Sequence, residues 1–193
     1  IEDTHFYETK VVNTKKVKAL LHQLHADLKN ELQTDTLLLP DGFNAKSHQF
    51  VKGEHLLNFP YLYLDFPKFY TKETMFSFRT LFWWGHYFIT AWILSGEHLD
   101  QYKNNLLEHY AALAGTGLYL LISDTPWEWR KQVPHVLEIR HDNREEVAAA
   151  LKTRSFLKIH SYMAFDQCVF SEEGLCEEII HIFRHTLPIV SQS

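Results

Sequence analysis

The sequence predicts an α+β fold: a single domain over residues 1–193, with a mainly antiparallel sheet, a central aromatic β-hairpin, and helices packed on one face. The chain is 46% hydrophobic, which is enough for one substantial core. Residues 59–94 are dense in the aromatic and β-branched side chains that favour strands, and Gly85-His86 interrupts them as a turn would. Apolar residues at helical spacing lie on both sides of this region.

The first element is an amphipathic helix over about residues 14–33, with Asn13 or Thr14 as its N-cap. Its apolar positions recur at steps of three and four residues: Val17, Leu20, Leu21, Leu24, Leu28 and Leu32. Residues 39–58 contain proline and glycine and little periodicity. We expect a long loop there, with a short helix or a ragged strand inside it.

A strand over residues 61–66 follows, in which polar and apolar residues alternate until Pro67 ends it. The hairpin spans about residues 75–95. Glycine is favoured at the first position of a type II′ turn, so we expect Gly85-His86 to be a two-residue loop.

This loop pairs Trp84 with Tyr87 and places Arg79 opposite Trp92 in the ladder. One face of the hairpin is then nearly all apolar. The other face mixes Arg79, Thr90 and Trp92 with apolar residues, so we expect it to meet a helix, a partner or a ligand.

Turn and capping signals define the remaining elements. Thr125-Pro126-Trp127-Glu128 has the pattern of a capping box that opens a short helix ending at Pro134. The other predicted elements are a helix over residues 99–114, strands at 118–122 and 136–140, a helix at 142–152, and a closing strand and helix within 155–187.

Composition excludes several classes of protein. The net charge is −5 and the basic residues form no strip, which argues against nucleic-acid binding. The longest mainly apolar run, residues 81–94, is too short to cross a membrane as a helix. Cys168 and Cys176 cannot form a disulfide framework, and the first residues do not resemble a signal peptide. We therefore expect a cytoplasmic protein with no membrane partner.

Two blocks of the chain resemble the YktB-like family of bacterial proteins of unknown function. The first block runs from the opening helix through FPYLYLDFPKFY and the MFSFRTLFWWGHYFITAWILSGEHL hairpin to LDQYKNNLLEHY, and the second is SFLKIHSYMAFDQ with the helix after it. Together they cover about two thirds of the chain. The resemblance implies the fold described above and implies no activity, because that family has none established.

Thirteen histidines raise the question of a metal site. Glu178, His181 and His185 lie at i, i+3 and i+7 on the last predicted helix, close to one face, and such a set can share a divalent cation. The alternative is that these are surface or half-buried helix residues without a ligand.

A second candidate site lies on the sheet. Lys158, His160 and Tyr162 alternate on the closing strand and so point the same way. Together with hairpin and aromatic-strand residues they suggest a cleft for a small anionic or planar ligand; the full set is Asp65, Arg79, Thr90, Trp92, Lys158, His160 and Tyr162. The alternative is structural: Arg79 stacks on Trp92 and pairs with a nearby acid.

No phosphate loop, nucleophile elbow or cysteine metal cluster is present, and the sequence indicates no particular cofactor. This favours a module that binds a small molecule or a protein partner without catalysis. One alternative is a hydrolase or other enzyme with a metal- or histidine-based site. Another is self-association through the aromatic hairpin, as in a homodimer.

Overall fold

In the part of the chain that the structure describes, seven strands form one antiparallel sheet with the order β1-β2-β3-β4-β7-β5-β6, which confirms the predicted α+β fold. The structure is a computed structural model, and it describes residues 4–132, 134–164 and 172–192. The strands are β1 (Gln49–Leu56), β2 (Phe59–Tyr70), β3 (Met75–Trp83), β4 (Tyr87–Leu94), β5 (Leu118–Leu121), β6 (Val136–Glu138) and β7 (Leu157–Ala164).

The helices pack on one face of this sheet, as predicted. They are α1 (Thr4–Glu31), α2 (Leu99–Glu108), α3 (Tyr110–Leu113), α4 (Arg144–Lys152) and α5 (Glu172–Thr186), followed by a short 3-10 helix (Leu187–Val190). Their apolar residues share one core with the sheet side chains that point the same way, among them Phe78, Phe88 and Trp92. We call this side of the sheet the helix face.

The opposite side, which we call the strap face, has a smaller apolar cluster that includes Leu81, Trp83, Ile89 and Ile93. The segment over residues 123–132, here named the Trp strap, crosses this face and packs Trp129 into the cluster.

The short helix predicted to open at Thr125–Glu128 and to end at Pro134 does not form over the described residues 125–132, because the capping box does not form. The Glu128 carboxylate accepts hydrogen bonds from the backbone N–H groups of Trp129 and Arg130, at 2.9 Å each, and pairs with the Arg130 side chain. A capping box would need this carboxylate to reach back to Thr125. The strap therefore consists of bends, one turn and irregular backbone.

The register of the hairpin differs from the prediction by one residue. Trp83, not Trp84, pairs with Tyr87, so the loop has three residues, with Gly85 in the middle at φ 72°. Arg79 consequently lies opposite Ala91 and not opposite Trp92. A shift of one residue moves every side chain of one strand to the other face of the sheet.

β1 lies inside the predicted long loop, where a ragged strand was one of the two expectations. Two element boundaries differ from the sequence prediction. α1 begins at Thr4, because its first turns are exposed and need no apolar spacing to be helical. β2 continues through Pro67, since the register shifts between Asp65 and Lys68 and a bulge tolerates a residue that cannot donate to the ladder.

The predicted helix over residues 99–114 is interrupted at His109, which separates α2 from α3. None of the described helices combines the length and the apolarity that a membrane span requires.

Replacing Gly85 by Val should lower the free energy of unfolding by about 1–3 kcal/mol, because a β-branched residue is strained at positive φ. A Cβ at this position would meet the Phe59 ring at an ordinary 3.5 Å, so the backbone conformation is the limiting factor. Gly85→Asn should lose less stability, since asparagine tolerates this region. Equal losses in urea unfolding for the two variants would contradict this explanation.

Candidate functional site

A buried ion pair joins β2 and β3 on the strap face. Arg79 Nε and Nη2 donate to the two oxygens of Asp65, at 2.6 and 2.7 Å. The two residues are partners in the ladder, so the strands hold them opposite each other. Asp65 is fully buried and Arg79 is 7% exposed. Bidentate geometry of this kind is the strongest form of carboxylate–guanidinium contact.

Aromatic rings enclose the Arg79 guanidinium. Its central carbon lies 3.7 Å from the centre of the Tyr63 ring, and the Trp127 and Trp129 rings lie at 5.4 and 5.5 Å. Burial opposes the charge on Arg79, but the hydrogen bonds to Asp65 outweigh it, so the pKa of Arg79 is raised above its ordinary value. The pair is therefore ionised at neutral pH.

An open pocket of about 560 Å³ adjoins this ion pair. The Trp strap, the β2–β3 turn and the two strands all contribute to its lining, which includes Tyr63, Asp65, Tyr70, Lys72, Met75, Arg79, Pro126 and Trp127. Trp127 is 47% exposed, whereas Trp129 is buried. This volume is within the range of small-ligand sites.

The Tyr70 hydroxyl is a polar group in this pocket that has no hydrogen-bond partner among the described residues. Ser77 is close enough to influence the Tyr70 pKa, but the two hydroxyls do not reach hydrogen-bonding geometry. Burial, and then the charge of Asp65, raise the pKa of Tyr70 to about 12. Tyr70 is thus a neutral phenol with a hydrogen to donate.

Lys158 lies on the same face but is sealed under the Trp strap. Its ammonium group donates to the carbonyls of Pro126 and Glu128, at 3.0 and 2.7 Å, and lies 3.2 Å from the centre of the Trp129 ring. Burial and then the charge of Arg79 hold its pKa well below the usual value. Two strap carbonyls and the Trp129 ring thus match its three N–H donors, and Lys158 holds the strap to the sheet. Lys158 does not line the pocket.

His160 is also buried, and Tyr162 is half-buried outside the pocket beside the ion pair. The His160 ring is stacked with Tyr119, and neither ring nitrogen has a hydrogen-bond partner among the described residues. Burial and then the charge of Lys158 hold the pKa of His160 well below its ordinary value. Burial likewise raises the pKa of the Tyr162 hydroxyl. His160 is therefore a neutral imidazole.

Thr90 and Trp92 were expected beside Arg79, but they lie on the helix face because of the one-residue register difference. Trp92 donates from Nε1 to Thr186 Oγ1 at 2.9 Å and packs on Phe183 of α5. Thr90 is completely buried. The predicted stacking of Arg79 on Trp92 is thus wrong, while the predicted pairing of Arg79 with an acid is confirmed, with Asp65 as the acid.

The predicted metal site does not assemble. Among the described residues, no three histidine, cysteine or acidic side chains come close enough to hold a metal ion. His181 and His185 stack with ring centres 6.0 Å apart, and Glu178 does not complete a three-ligand group with them. Cys176 is a buried thiol, and Cys168 lies outside the described residues.

Several pocket residues could not be assigned from the sequence. Tyr63 and Tyr70 belong to the aromatic strand, where any tyrosine fits a strand pattern equally well. Trp127 is recognisable in the sequence only as part of the predicted capping box, two residues before a second tryptophan. Lys72 gives no signal at all, because its role depends on the β2–β3 turn, where the Thr71 hydroxyl accepts two backbone hydrogen bonds.

No family model, curated protein or solved structure matches this chain.

The ion pair can be tested by comparing single and double variants in urea unfolding. Arg79→Met should cost about 3–5 kcal/mol, because it leaves the Asp65 carboxylate buried and unpaired. The double variant Asp65→Leu, Arg79→Met should lose much less than the sum of the single losses, since no buried charge remains. Arg184→Met removes a surface pair of the same bidentate geometry with Glu31 and should have a much smaller effect. Additive losses at Asp65 and Arg79 would show that the pair is not coupled.

Because the buried His160 imidazole is neutral, the stability of the fold should depend on pH on the acid side. Its pKa in the folded state is below the ordinary value of 6.5, so the unfolded chain binds more protons as the pH falls through that value. Stability should therefore decrease below about pH 6.5, with a slope of at most about 1.4 kcal/mol per pH unit from this residue. His160→Gln should reduce that slope, and the same change at exposed His181 should not. Part of the slope should remain, because burial also lowers the pKa of His25. An unchanged slope in His160→Gln would contradict the neutral buried imidazole.

Proposed function

We propose that this protein is a binding module without catalysis, and that it takes a small molecule into the pocket beside the Asp65–Arg79 pair. The observation that carries the proposal is the position of this pair: two charged side chains, almost fully buried, lie at the edge of an open pocket with an exposed tryptophan on its wall. A buried ion pair is seldom more stabilising than well-packed apolar residues of similar volume. Its presence beside a pocket therefore points to a role in binding a ligand.

The donors and rings around the pocket support the same proposal. Asp65 occupies Nε and Nη2 of Arg79, and the planar guanidinium then directs Nη1 away from the carboxylate. The Tyr70 hydroxyl is buried and has no hydrogen-bond partner among the described residues, so it is a second donor that a ligand would satisfy once the ring turns toward the pocket. A few polar groups that fix orientation, set among aromatic walls, are typical of small-molecule sites.

A larger groove of about 710 Å³ between α1 and α5 fits the proposal less well. Its Glu31 and Arg184 side chains pair with each other at the surface. No charged side chain in its described lining is buried. A ligand there would find only solvated charges and an apolar helix contact.

The proposal also covers the location and the partners of the protein. We propose a cytoplasmic protein with a small-molecule partner and no nucleic-acid partner, which the acidic net charge and the two cysteines support. The likeness to the YktB-like family remains a prediction.

A ligand-observed NMR screen of small aromatic and aliphatic compounds tests the proposal. We expect compounds whose binding signal is lost in Trp127→Ala, because this variant removes the exposed wall of the pocket. Phe59→Ala is the matched control: it also removes an exposed aromatic side chain, 43% exposed, but one at the start of β2 that does not line the pocket.

The proposal would be wrong if no compound bound, or if every compound that bound did so equally well to Trp127→Ala and to wild type. Circular dichroism of both variants should match wild type, because each substitution lies at the surface.

A further inference from the structure

We propose that the ligand of this pocket is a small aromatic monocarboxylate, held by hydrogen bonds from Arg79 and Tyr70, attracted by Lys72, and stacked on Trp127. This inference rests on the proposed function, and it adds the charge and the shape of the ligand. Three separate features of the described lining carry it: its net charge, its hydrogen-bond donors, and its one open ring face.

The charge of the pocket favours an anion. Asp65 neutralises Arg79 through two hydrogen bonds, so this pair contributes no net charge. Lys72 also lines the pocket, and none of the described carboxylates pairs with it. One uncompensated positive charge therefore remains.

The available hydrogen-bonding groups favour an oxyanion. Arg79 Nη1 and the neutral Tyr70 phenol are both donors, and neither is used by Asp65. A carboxylate accepts from a guanidinium and from a phenol with charge-assisted hydrogen bonds. A ligand ammonium group would instead face Lys72 and Arg79 as like charges.

The Asp65 carboxylate limits how much negative charge the ligand can carry. It lines the same pocket and is fully buried, so water screens it poorly. A dianion such as a phosphate monoester would bring two negative charges to a pocket with one uncompensated positive charge, so one of them would lie near this carboxylate without a partner. A monoanion balances the single positive charge of the pocket.

The aromatic side chains of the pocket favour an aromatic ligand over an aliphatic one. The Arg79 guanidinium already covers one face of Tyr63, at 3.7 Å from the ring centre. Trp127, in contrast, is 47% exposed: Arg79 lies farther from its ring centre, at 5.4 Å, and the Tyr70 ring is tilted against it by 45° with its centre 6.4 Å away. A planar ligand ring can therefore stack on Trp127.

Calorimetric titration with four probes tests the inference: phenylacetate, 2-phenylethylamine, phenyl phosphate and cyclohexylacetate. Phenylacetate should bind at least about tenfold more tightly than 2-phenylethylamine, which carries the same ring and the opposite charge. It should also bind more tightly than phenyl phosphate, which carries more charge, and than cyclohexylacetate, which cannot stack.

Variants separate the contributions. Lys72→Gln should reduce the preference for phenylacetate over the amine at least about threefold, because it removes the unpaired charge. Lys16→Gln, at an exposed position on α1, should leave this preference unchanged. Trp127→Ala should abolish the preference for phenylacetate over cyclohexylacetate.

Tighter or equal binding of 2-phenylethylamine, phenyl phosphate or cyclohexylacetate would overturn the ligand class. The proposed function would still stand in that case, since the pocket would bind a small molecule through Trp127. Failure of all four probes would also overturn the ligand class, and the ligand-observed NMR screen of aromatic and aliphatic compounds would then decide the proposed function separately.

Discussion

The ion pair between Asp65 and Arg79 is the interaction on which the strap face depends. An unpaired charge at either position would be buried without compensation, which is one of the most destabilising changes a protein interior can undergo. Because the two residues are ladder partners, correct pairing of β2 with β3 also forms the ion pair. The pair in turn provides the flat cation against which Tyr63 packs from one strand and the tryptophans pack from the Trp strap.

The Trp strap links this pair to strands β4 and β7, across the strap face of the sheet. Lys158 on β7 donates to two strap carbonyls, and the Tyr87 hydroxyl on β4 contacts two further backbone groups, the carbonyl of Trp129 and the N–H of Lys131. Trp129 is therefore fixed in the apolar cluster, and Trp127, two residues earlier, is directed to the pocket wall. The contacts that seal Lys158 thus also shape the pocket, although this residue does not line it.

The sequence predicts those parts of the fold that depend on local pattern. The hairpin was recognisable because aromatic residues flank a glycine, and the helices because their apolar residues repeat at helical spacing. The register of the hairpin could not be recognised from the sequence, since Gly85 fits a two-residue loop and a three-residue loop equally well. That difference of one residue decides whether Trp92 stacks on Arg79 or packs against α5.

The candidate site was predicted only in part, for the same physical reason. Asp65, Arg79, Lys158, His160 and Tyr162 do share a face, because alternation along a strand is a local property. Which of them reaches solvent depends on the Trp strap, whose path is set by contacts with residues as distant in sequence as Tyr87 and Lys158. The pattern of the strap itself predicted a helix, and long-range hydrogen bonds replaced it.

The most direct test of a ligand site beside the ion pair is the set of five tryptophan indole N–H signals in a ¹H–¹⁵N spectrum during titration with phenylacetate. Trp83 and Trp92 serve as internal references, because their indole groups are hydrogen-bonded to Leu56 and Thr186 away from the pocket. A saturable shift of the Trp127 signal, with those of Trp83 and Trp92 unchanged, is the result predicted here. A Trp127 signal that stays fixed while another indole signal shifts would place the site elsewhere and contradict the account.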